Sequence, residues 1–525
     1  MSEEATSIFD QSRRVSQEEL HRLASSVEPQ GESQRPVIAP ATDETLGHIP
    51  ELSPDAVGSA VSDARSAQVS WASRSIEERA EVLRRFASIV LDTLPEILDV
   101  IQLETGKSRF DALEEPLALV MTSRYYARYG PSMLADRSRR ALIPFMTSAE
   151  ELFRPKGIVG VISPWNYPLA IPFEDAIPAL LAGNAVVIKP DDKTPYSTLL
   201  AGNLLAEAGL PRDVLRVVTG DGSTVGQALI EQVDFIAFTG SVEVGRTVGA
   251  KAGDRLIDCS LELGGKNPCI VLDDADTSRA AKDATWACFS NAGQLCLSTE
   301  RIYVEDAVCD DFLDAFVRFT RQLQIDCGLD FTYAIGSLID ESHHASVTRF
   351  VDDAVAEGAT VLSGGRSRPE VGPFCFEPTI LTDVPDSVAV TSEEVFGPVV
   401  IVERVEDASE AVTRANRHGP HLHGVVWSGD ADRARQLGTQ LTTGMVSIND
   451  AYFASYGTVD TPMGGITNGG IGHRQGRPGL YRYVDRQAIV QNRGPRLTKP
   501  DWLPESAYPT ALVWLTRLLS RIPRL

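Results

Sequence analysis

Two rhythms of apolar and polar positions divide this chain. From Ala56 to Ala135 apolar residues recur every three or four positions among Glu and Arg, a spacing that predicts helices. Beyond that, short apolar runs alternate with helical stretches. Gly157 to Ser163, Ala185 to Lys189, Val214 to Val218 and Phe235 to Phe238 read as strands. Phe173 to Ala182, Thr198 to Ala208 and Ser223 to Glu231 read as helices between them. Strands spaced by helices in this way predict βαβ units and a parallel sheet. A second alternating region runs from Pro268 to about Asn449, with strands such as Arg301 to Glu305 and Val399 to Val402. Ahead of these lie a polar segment to about residue 30, a Pro-rich connector and an extended stretch near Val37 to His48. From Gly470 the chain reads as irregular, then extended near Tyr483 to Gln491, and it ends in a short apolar helix. Two α/β domains are the simplest division.

Composition narrows the function classes. A chain of 525 residues, 43% hydrophobic, buries large cores without staples. No run of about 18 apolar residues occurs, which excludes a membrane-spanning helix. Lys and Arg number 49 against 72 Asp and Glu, a net charge of −23 that repels phosphate backbones and argues against nucleic acid as a partner. Only eight of the basic residues are lysines. An acidic, lysine-poor surface suits solution in concentrated salt, so a halophilic, salt-rich cytoplasm is expected. Seven cysteines without a CxxC pair argue against a disulfide framework or a Cys-based zinc site. The polar, acidic start lacks the apolar core of a secretory signal, which again points to a reducing cytoplasm.

Four segments concentrate reactive or conformationally special residues: Ser163-Pro164-Trp165-Asn166-Tyr167-Pro168; Phe238-Thr239-Gly240-Ser241 with Gly245 beyond; Leu261-Glu262-Leu263-Gly264-Gly265-Lys266; and Ser290-Asn291-Ala292-Gly293-Gln294-Leu295-Cys296. Singly each is weak: a glycine turn is ordinary and a cysteine is more often a small buried hydrophobe. Together and in this order, with Glu393-Glu394-Val395-Phe396-Gly397-Pro398, they resemble the aldehyde dehydrogenase superfamily over residues 30 to 490. The branch most similar is that of the succinate-semialdehyde dehydrogenases, with a C-terminal extension.

The resemblance implies an α/β fold: a Rossmann-type nicotinamide domain from residues 30–138 and 157–263, and an α/β catalytic domain from 264 to 458. Small β bridging segments at 139–156 and 478–493 would join protomers into a dimer or tetramer, and 494–525 would form a tail helix. It implies NAD(P)-dependent oxidation of an aldehyde to the acid. A thiolate suits that chemistry, because the thiohemiacetal it forms can expel hydride and leave a thioester. Cys296 would be the nucleophile and Glu262 the base that activates water. The Asn166 amide and the Cys296 backbone N–H would hold the oxyanion. For the cofactor, NAD or NADP, the resemblance implies Ser163 and Trp165 beside Asn166, Lys189 and Asp192 at the adenine ribose, and Gly240, Ser241 and Gly245 at the pyrophosphate. Leu263 would meet the carboxamide, Glu394 the nicotinamide ribose and Phe396 its ring. A carboxylate at Asp192 favours the free 2′-hydroxyl of NAD, without excluding NADP.

The chain departs from that branch where many members carry an Arg before the Asn of the cysteine motif: here it is Ser290. Arg301, or else Arg474 or Arg477, would then have to grip a substrate carboxylate. Another aliphatic or aromatic aldehyde is the alternative substrate, and a non-catalytic derivative a remote one. The remaining cysteines, Cys288 among them, read as structural. His418, His421 and His423 read as a loop rather than a zinc site, and no metal is expected. In the tail, Trp514, Leu515, Leu518, Leu519 and Ile522 fall on one helical side, with Arg517, Arg521 and Arg524 on or beside the opposite one. That side is expected to pack on the enzyme body or a neighbouring subunit, with an anionic membrane surface as the alternative.

Overall fold

The computed structural model describes residues 14–27, 33–140, 146–418, 421–493, 499 and 501–521. In chain order, β1 (Ser33–Ala39) and β2 (Glu44–Glu51) pair as an antiparallel hairpin where one extended stretch was expected. Asp43, with φ of 61°, makes the turn. The helical region then resolves into α1 (Pro54–Ser73), α2 (Ile76–Asp92), α3 (Leu94–Thr105) and α4 (Arg109–Leu134). The breaks are chemical. Ser75 and Glu78 form a capping box at the start of α2. Gly106, with φ of 70°, stops α3, and the Ser108 hydroxyl caps α4 by accepting from the Asp111 N–H.

After β3 (Arg137–Arg139) and β4 (Thr147–Pro155) come the elements of the first large sheet. These are β5 (Ile158–Ile162), α5 (Ala170–Leu181), β6 (Ala185–Lys189), α6 (Pro195–Glu207), β7 (Leu215–Val217), β8 (Phe235–Gly240), α7 (Val242–Asp254) and β9 (Asp258–Leu263). The expected helix at Ser223 to Glu231 is found as a π-helical stretch, Gly222–Gly226, that runs directly into a short α-helix, Gln227–Ile230. The second sheet uses β10 (Pro268–Val271), β11 (Arg301–Glu305) after α8 (Thr277–Phe289), β12 (Thr360–Ser363), β13 (Thr379–Thr382), β14 (Val399–Val405), β15 (His421–Trp427) and β16 (Thr443–Ile448).

The segment from Gly470 is not irregular. It gives β17 (Gly470–Ile471), a helix Gly476–Tyr481 and then β18 (Val484–Asn492). The first sheet runs β17-β9-β8-β5-β6-β7 and the second β12-β13-β14-β11-β10-β15-β16; β18-β4-β3 form a separate antiparallel sheet. In the first sheet all neighbours from β9 to β7 are parallel, and only β17 is antiparallel. Ile158, Val159 and Val161 of β5 are at most 1% exposed. Each such side chain contributes about 1.5–3 kcal/mol by leaving water. This buried central strand fixes the rim on which the site is built.

The tail forms α9 (Tyr508–Leu519), but Leu512, Val513, Trp514 and Leu518 are exposed. The packing of this helix on the enzyme body expected from its apolar side is therefore not found among the described residues. Ile522 and Arg524 lie outside them. No described helix is long and apolar enough to cross a membrane.

Candidate active site

Ile162 at the end of β5 is level with Lys189 on one side and Phe238 on the other, so three strand ends share one rim. From β5 the chain steps outward through β6 and β7, then returns to β8 on the opposite side. Open parallel sheets bind ligands outside the carboxyl ends of the strands at such a reversal. Ser163 leads out of β5; its N–H donates to the Lys189 carbonyl at 3.1 Å, while its buried hydroxyl has no partner. Gly240 ends β8 and Ser241 caps α7, whose first-turn N–H groups face this rim as a ready anion site. Gly245 is a packing glycine: a Cβ there would overlap the Leu263 side chain. Lys189 Nζ donates to the Pro190 carbonyl at 2.7 Å and pairs with Asp192 at 3.3 Å. Asp192 also pairs with Arg35 of β1 at 3.2 Å, a residue the sequence did not single out. The orphaned Ser163 hydroxyl and the open helix N-terminus fit a dinucleotide laid along this rim.

At the other end, Glu394 is wedged against the glycine pair, accepting from the Gly265 N–H at 3.2 Å, and a Cβ on Gly264 would overlap its carboxylate. Burial first, and the neighbouring Glu300 next, push Glu394 up to about 8. Phe396, held at φ of 54°, meets the Trp165 ring edge-on at 5.6 Å.

The Cys296 loop is bent by three successive left-handed residues, Asn291, Ala292 and Gly293, with φ of 51°, 53° and 73°. At Gly293 a Cβ would overlap the Gly397 carbonyl. Two asparagines hold the loop. Asn267 Nδ2 donates to the carbonyls of Cys296 at 2.7 Å and Ser298 at 2.9 Å, while its Oδ1 accepts from the His423 N–H. Asn166 Nδ2 donates to the Gln294 carbonyl at 3.0 Å. Asn166 is itself steadied by buried Lys107, whose Nζ donates to its carbonyl at 2.6 Å and pairs with Glu115 at 2.8 Å. Glu115 in turn accepts from the Leu169 and Ala170 N–H groups at the start of α5. The positive end of that helix thus fixes the segment carrying Asn166 and Tyr167.

Cys296 opens into a cavity walled by Glu114, Tyr167, Glu174, Tyr452, Tyr456 and Arg474 among aliphatic side chains such as Ile171 and Leu297. Glu262 on β9 is buried, and its Oε1 has no partner. Burial pushes Glu262 up to about 7; Arg474 and Arg482 oppose the shift, and Asp175 and Glu174 reinforce it. Burial likewise pushes the Cys296 thiol up to about 12, with Arg474 opposing and Glu394, Glu262 and Glu174 reinforcing. At neutral pH the resting thiol is therefore protonated, and it needs a nearby base to become a nucleophile.

Two expected substrate contacts are corrected. Arg301 is fully buried in the second sheet, where it donates to the carbonyls of Lys266 and Ala415 and to the Tyr303 hydroxyl. It does not line the cavity, because β11 directs it into the sheet's packing. Ser290 is buried as well; its hydroxyl donates to the Trp286 carbonyl at 2.9 Å and bonds Tyr452, behind the cavity wall. Arg474 does reach the cavity, but its Nε and Nη2 bond Asp175 at 3.2 and 2.6 Å, and Nη2 also bonds the Thr239 hydroxyl. His421 and His423 open a buried strand rather than a loop. Among the described residues no group of three His, Cys, Asp or Glu side chains could hold a metal. Sequence reading missed Glu114, Glu174, Tyr452, Tyr456 and Asn267. The one available signal was an adjacent acidic pair, Glu114-Glu115, inside an otherwise apolar helical stretch.

Comparison with known proteins accords with this geometry. The profile of the aldehyde dehydrogenase family matches residues 27–489. A Mycolicibacterium smegmatis protein provisionally named an NADP+-dependent succinate-semialdehyde dehydrogenase is 44% identical over 489 residues, covering 93% of this chain and 95% of its own. Among solved structures, a point mutant of betaine aldehyde dehydrogenase from Staphylococcus aureus in complex with NAD+ superposes with a TM-score of 0.87 at 30% identity, covering 94% of this chain and all of its own. An NADP-dependent enzyme of E. coli does so at 0.85 and 32%, covering 88% and 96%. The chain belongs to the aldehyde dehydrogenase family.

Proposed function

We propose that this chain oxidises an aldehyde to the carboxylic acid through a covalent adduct on Cys296, with NAD+ or NADP+ as electron acceptor. The observation that carries the reading is a protonated cysteine in a cavity, electrostatically coupled to buried Glu262, whose Oε1 has no partner and which titrates near neutrality. Glu262 takes the Cys296 proton, and the thiolate adds to the carbonyl carbon. The Asn166 amide and the Cys296 backbone N–H stabilise the oxyanion that develops. Loss of hydride from the thiohemiacetal leaves a thioester. Glu262 gives up the thiol's proton to solvent and then takes one from water, whose oxygen attacks the thioester; the carbon–sulfur bond breaks, releasing the acid and returning Cys296 as the thiolate. The bound nicotinamide supplies the hydride acceptor. Ser163, Trp165, Lys189, Asp192, Gly240 and Ser241 would hold its adenosine and phosphate portions, and Leu263, Glu394 and Phe396 its reactive end, with Gly245 letting α7 approach.

Succinate semialdehyde is the substrate favoured by the name of the mycobacterial relative, and other aliphatic or aromatic aldehydes are the alternative. Seven free cysteines support a reducing cytoplasm. The exposed Ile489 and Val490 of β18 support pairing of protomers through the three-stranded sheet, which light scattering would test. A panel of aldehydes with each cofactor, followed at the NAD(P)H absorbance, tests the activity. Absence of turnover by protein that binds the cofactor would reject it.

A further inference from the structure

Resting on the dehydrogenase reading, we infer that the pocket beside Cys296 selects an aldehyde without a carboxylate, so that an uncharged aliphatic or aromatic aldehyde is preferred to a semialdehyde acid. The walls carry the argument. Glu114 on α4 and Glu174 on α5 reach the same cavity as Cys296. The hydroxyls that could have received a substrate carboxylate are already engaged. Tyr452 donates to Glu114 Oε1 at 2.8 Å, Tyr167 donates to Glu114 Oε2 at 3.1 Å, and Tyr456 bonds Glu174. What these tyrosines still present to a ligand is ring surface.

Arg474 is the sole cation among the described lining residues. It is held in a buried network: Asp175 also receives Arg482 and the Tyr483 hydroxyl, so turning Arg474 toward a ligand would strip a buried carboxylate of one of its two guanidinium partners. A buried anion without a free cation or donors is expensive. Two acids in the wall add like-charge repulsion once they ionise, and burial leaves both titrating near 7. A neutral tail, by contrast, gains apolar contact with the tyrosine rings and with Ile171 and Leu297 without disturbing a bond.

The test compares kcat/KM for succinate semialdehyde, butanal and benzaldehyde at pH 8 with the full-length wild-type enzyme, and repeats the series with Glu174→Gln. A like charge placed against a buried acid predicts roughly 100-fold lower kcat/KM for the semialdehyde acid than for butanal. Glu174→Gln should narrow that ratio by about tenfold. NADP+ binding, followed by tryptophan fluorescence, confirms that the variant is folded. If the wild-type enzyme handles succinate semialdehyde as well as butanal or better, the inference is overturned while the dehydrogenase reading stands. If Glu174→Gln binds NADP+ but leaves the ratio unmoved, the assignment to this wall is overturned. If no aldehyde is oxidised by protein that binds NADP+, the dehydrogenase reading fails, and the inference with it.

Discussion

The rim that would hold the dinucleotide and the pocket that would hold the aldehyde meet at Cys296 but are built differently. The rim is made of strand ends and turns: Lys189 and Gly240 end strands of one parallel sheet, and Ser163 and Ser241 follow directly from strands of that sheet. Its geometry is set by backbone, and Ser163, Gly240 and Ser241 sit inside short contiguous motifs. The pocket is made of long side chains from separate stretches: Glu114 from α4, Glu174 from α5, Tyr452 and Tyr456 after the second sheet, and Arg474 after β17. The reaction can therefore stay constant while the substrate changes, because each wall residue can be exchanged without moving a strand.

The sharpest way to break this division is Cys296→Ala. Aldehyde oxidation should fall by roughly 10⁴-fold or more, with NADP+ affinity by fluorescence titration essentially unchanged. A variant that also lost the cofactor would show the rim and the pocket to be one unit. Glu262→Gln comes next, with steady turnover reduced by about 10² to 10⁴-fold. Because Glu262 serves both the thiol and the water, stopped-flow absorbance of the Gln variant should show no rapid burst of NAD(P)H; a burst followed by a stall would confine its role to hydrolysis. The sign of its pH dependence follows from its raised pKa. The base works ionised, so turnover should rise as pH climbs through about 7 and level off above it; the Gln variant should lack that limb.

Asn267→Ala sharpens the comparison from the junction. It removes the two amide bonds that hold the cysteine loop. A misplaced nucleophile typically costs about 10²-fold, so kcat should fall by that order while cofactor affinity holds; a change in KM alone would count against a positioning role. The smallest effect is expected at Arg35→Ala. Asp192 would lose one of its two cations. Its carboxylate would then repel a 2′-phosphate more strongly, weakening NADP+ by about fivefold to tenfold relative to NAD+ in a binding titration.

These differences explain what the sequence could carry. The alternation of apolar runs and helices announced the first parallel sheet, because β5, β6 and β8 are buried on both faces and leave little room for polar residues. The hairpin near Asp43 and the short β17 were less legible, since a turn at a non-glycine residue and a two-residue strand leave no periodic trace. Cys296 and Glu262 stood out through the motifs around them. Arg301 misled for a physical reason: an arginine on a strand beside the cysteine loop looks free in one dimension, whereas its guanidinium is enclosed by the carbonyls of Lys266 and Ala415. Glu174 was silent, and Glu114 was marked only by its neighbour Glu115, because a buried acid on a helix has the same letter as a solvated one.

Glu300 has a consequence for how such chains are recognised. Its buried carboxylate receives Lys266 Nζ at 2.5 Å and the N–H groups of Val395 and Phe396, fastening Leu261-Glu262-Leu263-Gly264-Gly265-Lys266 to Glu393-Glu394-Val395-Phe396-Gly397-Pro398. Much of the distinctiveness of those two segments is therefore a record of scaffolding. A descendant that had lost Cys296 would keep both, because their selection rests on folding as well as on turnover. A pseudoenzyme would carry the same family signature, and only the nucleophile and its base would tell the living copy from the silent one.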